Sequence, residues 1–196
     1  ALTVGEAVAR VGALVPASWS GNGPFTVRAP DRLGVWKLYV YARDGHGNVG
    51  IETRSFRVVA PTPQGENVAR GKPATASSYQ QQGDGAPFPP SNTVDGSLTT
   101  RWASDWSDPQ WVRVDLGATT TFQHVQLVWE AAYGRAYELQ VSDNDRDWRT
   151  VYSTTSGDGG VDEIDVTATG RYVRLYGTAR GTGWGYSLYE LGVYRR

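Results

Sequence analysis

Cysteine is absent from the 196 residues, which excludes disulfides, thiol catalysis and cysteine-ligated zinc. The compartment stays open, because a domain of this size can dispense with a disulfide even outside the cell. Neither sign of charge is in surplus: 19 basic side chains face 20 acidic ones, for a net charge of −1. Partners that demand a basic surface, such as DNA or an anionic membrane, are therefore disfavoured. Long hydrophobic runs are also missing, and no stretch approaches the ~18 apolar residues of a membrane span. No signal peptide is seen, and the chain starts at Ala1, as expected of a mature form or a piece of a longer protein. Histidine is scarce, with His46 in a turn-like segment and His124 in a strand-like one. A Ser-His-Asp arrangement has little to draw on, and no Gly-x-Ser-x-Gly or phosphate-loop motif occurs.

What is plentiful is glycine (24), tyrosine (11), proline (10) and tryptophan (8). That mixture suits short strands joined by many turns. The run Ala60-Pro61-Thr62-Pro63-Gln64-Gly65 has no large apolar group, and its alternating prolines favour an extended linker. Residues 1–65 carry seven basic and four acidic side chains, and residues 66–196 carry twelve and sixteen. Two units of opposite charge follow: residues 1–60, a linker at 61–65, and residues 66–196. In the first, Val35 to Arg43 alternates apolar and polar positions, the pattern of a strand with one buried face. Further strands are predicted at Thr53–Val59 and Phe25–Arg28. The segment Tyr41-Ala42-Arg43-Asp44-Gly45-His46-Gly47-Asn48 resembles the immunoglobulin-like or fibronectin-like spacers of secreted bacterial enzymes, in a reduced or truncated form.

The second unit reads as β throughout, with strands predicted at Trp111–Leu116, Val125–Trp129, Tyr137–Ser142, Trp148–Tyr152, Glu163–Val166, Arg171–Tyr176 and Leu188–Tyr194. Turn signals separate them at Gly117, at Asp143–Asp147 and at Gly157–Gly160. Many short strands at such spacing predict an all-β sandwich or jelly roll. Several motifs then occur in a fixed order: Asn67-Val68-Ala69-Arg70-Gly71-Lys72-Pro73, Ser91-Asn92-Thr93-Val94-Asp95-Gly96, Thr100-Arg101-Trp102, Pro109-Gln110-Trp111-Val112-Arg113-Val114-Asp115-Leu116-Gly117, Tyr172-Val173-Arg174-Leu175, and the closing run Gly183 to Tyr194. This set resembles the discoidin, or coagulation factor 5/8 type C, family, and within it the bacterial carbohydrate-binding modules of family 32. The resemblance implies a discoidin-like jelly-roll β-sandwich over residues 66–196, preceded by the small immunoglobulin-like β-domain. It also implies ligand loops at one end of the sandwich. Lipid-binding members usually close their termini with a disulfide, which this chain cannot make. Glu130-Ala131-Ala132-Tyr133 and the Gly-Trp-Gly-Tyr-Ser-Leu close resemble the modules attached to glucanases and chitosanases.

A sugar is held by an aromatic ring under its C–H face and by converging polar groups at its hydroxyls. Trp184 lies between glycines in Gly181-Thr182-Gly183-Trp184-Gly185, and Trp106 lies in a polar stretch, so both are expected to be exposed. The alternative for Trp184 is a core tryptophan with unusual turns. Trp102, Trp111 and Trp148 sit in or beside strands and are expected in the core. Arg101 and Glu130 are the polar candidates, since arginine donates to vicinal hydroxyls and glutamate accepts from them. The alternative is a structural salt bridge. The resemblance places positions 101, 106, 130 and 184 on ligand loops, and Tyr133 is a further candidate. Chitosan-binding relatives carry an extra acidic residue in the first long loop. Here the loop reads Ser78-Tyr79-Gln80-Gln81-Gln82-Gly83-Asp84-Gly85, which favours a neutral glucan.

A second group, Asn92, Asp95, Ser97 and Thr100 with the distant Glu190, supplies hard oxygen donors of the kind Ca²⁺ takes. The resemblance implies a structural Ca²⁺ there, with the Tyr189 carbonyl adjoining. The alternative is a turn capped by Asp95. Paired catalytic carboxyls about 5–9.5 Å apart in a cleft are not signalled: Asp143, Asp145 and Asp147 share one loop, and Asp162, Glu163 and Asp165 flank one strand. The expectation is a monomeric, secreted, non-catalytic module. It would bind oligo- or polysaccharide of the glucan type (β-glucan or chitosan-like) beside a catalytic domain in the same chain, with no nucleic-acid or membrane partner. The competing expectation is an adhesion or protein-interaction discoidin domain for galactose-type glycans or cell-surface protein.

Overall fold

The computed structural model describes residues 6–11, 17–19, 34–43, 46, 48–58, 63–81 and 87–196. The chain divides into two compact units, Ala1–Pro61 and Thr62–Arg196. In the first, β1 (Glu6–Val11), β2 (Ala17–Trp19), β3 (Gly34–Arg43) and β4 (Val49–Val58) form an antiparallel sheet in the order β2-β1-β3-β4. The β3–β4 pair is in register from Gly34↔Val58 to Arg43↔Val49. Lys37 and Tyr39 are exposed on the same face, as strand alternation requires. Strand β4 begins earlier than the predicted Thr53, and β1 and β2 were not signalled by the alternation. The predicted Phe25–Arg28 strand lies outside the described residues.

The second unit holds β5 (Glu66–Asn67), β6 (Ala74–Ala76), β7 (Trp102–Ala103), β8 (Gln110–Trp129), β9 (Gly134–Ser142), β10 (Arg149–Thr154), β11 (Val161–Arg180) and β12 (Ser187–Arg195). Its only helical turn among the described residues is the 3-10 segment Pro90–Val94. The antiparallel order is β10-β9-β11-β8-β12-β5, with β6 added to β8 and β7 to β12.

Two long strands make the sandwich. The predicted breaks at Gly117 and between Val166 and Arg171 do not end strands; β8 and β11 each run for 20 residues. The first part of β8 pairs with β6 at Ala74↔Val114, and its last part pairs with β12 at Val193↔Val125. Strand β11 accompanies it along both parts. Register shifts at Asp165/Ala168 and Gly170/Tyr172 bend this pair, and Gly117 takes a φ of 89° that a side chain would resist. A bend in which both partners share leaves the hydrogen-bond ladder largely intact, so the chain changes layers without leaving the sheet.

Alternation along Gln110–Leu116 sends Val112, Val114 and Leu116 inward. They join Phe122, Leu127, Leu139, Leu175 and Leu191 in one core, each at 4% exposure or less. Each such side chain contributes about 1.5–3 kcal/mol on burial. Trp102 is fully buried there, as expected. Trp111 and Trp148 are not in the core. They are half-buried on the outer face, covered by the Arg113 and Arg174 guanidiniums at 5.4 and 3.9 Å from their ring centres. The reason is register: Trp111 alternates with the inward Val112, and Arg stacks well on an indole face.

The ends of β7, β8 and β12 converge through Leu188↔Trp102 and Leu188↔Trp129. This brings three loops to one end of the sandwich: 104–109, 130–133 and 181–186.

Candidate functional site

Those loops, with residues 80, 81 and 88, enclose an open groove of about 410 Å³. Its rim carries two indoles, Trp106 (56% exposed) and Trp184 (57%). Their ring centres lie 4.9 Å apart and their planes cross at 82°, forming a corner. Its wall carries a charge pair, Arg101 Nη1 to Glu130 Oε2 at 3.1 Å. The Arg101 guanidinium lies 4.2 Å over the Phe88 ring, which leaves part of its donor fork facing the groove. Glu130 is fixed from behind. Its main-chain N–H donates to the Ser187 carbonyl at 3.0 Å, and its Oε2 accepts from the Ala132 N–H at 3.2 Å. Gln80 donates from Nε2 to the Ser104 carbonyl at 2.6 Å, so its amide is tied to the loop that bears Trp106.

A second polar cluster lies where the 3-10 segment meets β12. Asp95 accepts from the Ser97 N–H at 2.8 Å and from the Thr100 hydroxyl at 2.7 Å. Glu190, 9% exposed, accepts from the Gly96 N–H at 2.5 Å. Burial, with the neighbouring Asp95 charge adding to it, pushes the Glu190 carboxyl up to about 7 against the pull of its backbone donors. Among the described residues no group of three or more His, Asp, Glu or Cys side chains is placed to hold a metal ion. A cation here would therefore rest on two carboxylates plus hydroxyl and carbonyl oxygens. That is a hard-oxygen set of the kind Ca²⁺ takes, and a divalent ion would offset the repulsion between the exposed Asp95 carboxylate and the desolvated Glu190.

The F5/8 type C domain model matches residues 73–191. The chain belongs to the F5/8 type C domain family. Among solved structures, it is 51% identical to chitosan-binding module 1 of a chitosanase/glucanase from Paenibacillus sp. IK-5, covering 66% of this chain and 98% of that one with a TM-score of 0.61. Chitosan-binding module 2 of the same enzyme, solved with chitotriose, is 42% identical over 65% of this chain and 99% of that one, at a TM-score of 0.62. A family 32 carbohydrate-binding module of Clostridium perfringens in complex with GalNAc-β-1,3-galactose shares the fold at 23% identity, covering 63% of this chain and 95% of that one, at a TM-score of 0.56. One curated relative, the polysaccharide lyase 8 family protein HylA of Enterococcus faecalis, is 36% identical over 67 residues, which span 34% of this chain and 5% of HylA.

Within the F5/8 type C domain, Arg101, Trp106, Glu130 and Trp184 all line the one groove. Tyr133 lies beside it, its ring in close contact with the main chain at Gly159 and Gly181. Asp95, Thr100 and Glu190 come together from opposite ends of the domain. The Asn92 side chain donates through Nδ2 to the Arg101 carbonyl at 2.9 Å, with its Oδ1 not engaged by that bond. Ser97 hydrogen-bonds Thr99 at 2.8 Å through its hydroxyl. Tyr189 is half-buried near Arg101 and Glu130; burial and the Glu130 charge push its hydroxyl up. Asp84 lies outside the described residues. Gln80 and Gln81 belong to the first long loop, which the sequence already placed on the ligand side; the sequence did not signal Phe88 as a lining residue, nor the contacts of Arg180 with Asp108 and with the Trp184 carbonyl. Phe88 stands in Pro87-Phe88-Pro89-Pro90, where no periodicity could assign it a face.

Proposed function

We propose that residues 66–196 are a non-catalytic carbohydrate-binding module that holds a glucan-type chain, β-glucan or chitosan-like, in the groove of Trp106, Trp184, Arg101 and Glu130. The observation that carries this reading is the pair of half-exposed indoles set over a fixed Arg–Glu pair. Indole faces take the C–H surface of a pyranose, and the guanidinium and carboxylate take its hydroxyls. Relatives at 42 to 51% identity that bind chitosan support the ligand class. Among the described residues Glu130 is the single carboxylate that lines the groove, and Arg101 already neutralises it. A neutral glucosyl unit meets that lining better than an ammonium-bearing one. The module tethers a secreted polysaccharide-degrading enzyme in the same chain to its polymer, raising the effective concentration of substrate. One structural Ca²⁺ sits on Asp95, Thr100 and Glu190 with carbonyls of Ser97 and Tyr189, and links the start of the domain to its last strand.

Calorimetry tests the reading. β-Gluco-oligosaccharides should bind exothermically with Kd of about 10 µM–1 mM, the ~4–7 kcal/mol of a shallow site. Chitosan oligomers should bind more weakly than neutral ones. Absence of heat with both overturns the glucan reading. Heat with galactose-type ligands alone would instead favour an adhesion domain.

A further inference from the structure

Two indoles that are each more than half exposed have little packing to hold them, yet they meet in a defined corner. The loops beneath them are locked together. Ser104, fully buried, donates its N–H to the Tyr186 carbonyl at 2.8 Å and accepts from the Tyr186 N–H on its hydroxyl at 2.8 Å. Gly185 lies so near the other loop that an added Cβ would be 2.5 Å from the Ser104 carbonyl oxygen. These contacts fix the bases of the loops and not their tips. Gly183, beside Trp184, has nothing within 4 Å of the space a side chain would take.

Nearer the tips the Trp184 N–H donates to the Thr182 hydroxyl within its own loop at 3.2 Å, and the Asp105 N–H donates to the Ser78 hydroxyl at 3.0 Å, whereas one ion pair links the two tryptophan loops to each other. Asp108, at the far end of the Trp106 loop, accepts from the Tyr186 hydroxyl on one oxygen and from Arg180 Nε on the other, at 3.1 Å. Arg180 also donates from Nη1 to the Trp184 carbonyl at 3.4 Å. A guanidinium can do this because its donors diverge in one rigid plane; an ammonium has no such fork. We propose that Arg180, held by Asp108, is a positioning residue that sets the Trp106–Trp184 corner before ligand arrives, although neither side chain lines the groove. This rests on the sugar-binding reading above. Without the brace, the ligand itself would have to order both indoles, and affinity would fall by the cost of that ordering.

The test uses Arg180→Met, Arg180→Lys and Asp108→Asn in the full chain. It reads affinity for the gluco-oligosaccharide bound by the wild type, the indole–indole coupling in the circular dichroism of the ligand-free protein, and Tm. Arg180→Met should weaken binding about tenfold, the order expected for two large side chains left for the ligand to immobilise. It should also remove the indole coupling. Arg180→Lys should keep Tm near the wild-type value without restoring affinity, which separates positioning from mere stabilisation. In a Trp184→Ala background, Arg180→Met should cost almost nothing more. Unchanged affinity and coupling in folded Arg180→Met overturns the proposal, as does a loss that adds in full to that of Trp184→Ala. If Arg180→Met does not fold, Arg180→Lys and Asp108→Asn decide by the same readouts. If Trp106→Ala and Trp184→Ala bind sugar as the wild type does, the sugar reading fails. The dichroism of the Arg180 variants still judges the brace in that case.

Discussion

Trp102 and Trp184 show how one residue type takes opposite roles in this chain. Trp102 sits in a short strand against β12, fully buried, with its indole N–H donating to the Ser78 carbonyl at 2.9 Å. Trp184 sits on a glycine-framed tip with its ring in solvent. Trp184→Ala should therefore cost about 1–3 kcal/mol of sugar binding, by analogy with other aromatic stacking platforms, and leave Tm nearly unchanged. A large fall in Tm with affinity intact would assign Trp184 to the fold instead. Arg101→Ala should also abolish most binding at small cost to Tm, because a partly exposed ion pair contributes at most about 1 kcal/mol to folding. Calorimetry paired with thermal melts reads both variants. The exposure of Trp106 and Trp184 was legible from their glycine and polar neighbours. The covering of Trp111 and Trp148 by arginines was not, since Arg113 and Arg174 reach them through strand register and a loop.

At the scale of elements, the pairing of β8 with β11 is held at its bend by charge as well as by the ladder. Arg171 donates through Nε and Nη2 to the two Asp115 oxygens, each at 2.8 Å, and the Gly117 N–H donates to Asp115 Oδ1 at 2.8 Å. The Arg171 hydrogen bonds, with help from Gly117, hold the Asp115 carboxyl below the usual carboxylate range. A carboxyl with a lower pKa in the folded state stabilises above its unfolded value of about 4, and that contribution is lost as pH falls through the folded value. Asp115→Asn should thus lower Tm by a constant amount near neutral pH, and the gap should close below about pH 4. A gap that does not change with pH would assign the effect to shape and not to charge. Gly117 carries a turn signal in the sequence because glycine commonly marks turns. Local sequence cannot distinguish a turn from a bend that β11 follows on the neighbouring strand.

For the whole molecule, the polar cluster at Asp95 and Glu190 joins residues 95 positions apart in sequence. An ion bound only by the folded domain stabilises by RT ln(1 + [L]/Kd), about 2.7 kcal/mol at 100-fold Kd. Chelator should lower Tm by several degrees, and Asp95→Ala should abolish that sensitivity while sugar affinity of the folded protein stays constant. Melting curves unmoved by chelator would leave a turn capped by Asp95. The all-β class, the two-unit charge contrast, most strand positions of residues 66–196 and the chemistry of the candidate side chains were set by local pattern: alternation, turn residues and residue type. Those signals act over a few residues, so they determine which segments are strands and which side chains sit on loops. Only the tertiary structure decided that β8 and β11 bend together through two layers. It also decided that loops around positions 106, 130 and 184 share one groove, and that Arg180 spans two of them. Such facts depend on pairing between strands far apart in the chain, where register and closure of the sheet, not the local sequence, place one residue beside another.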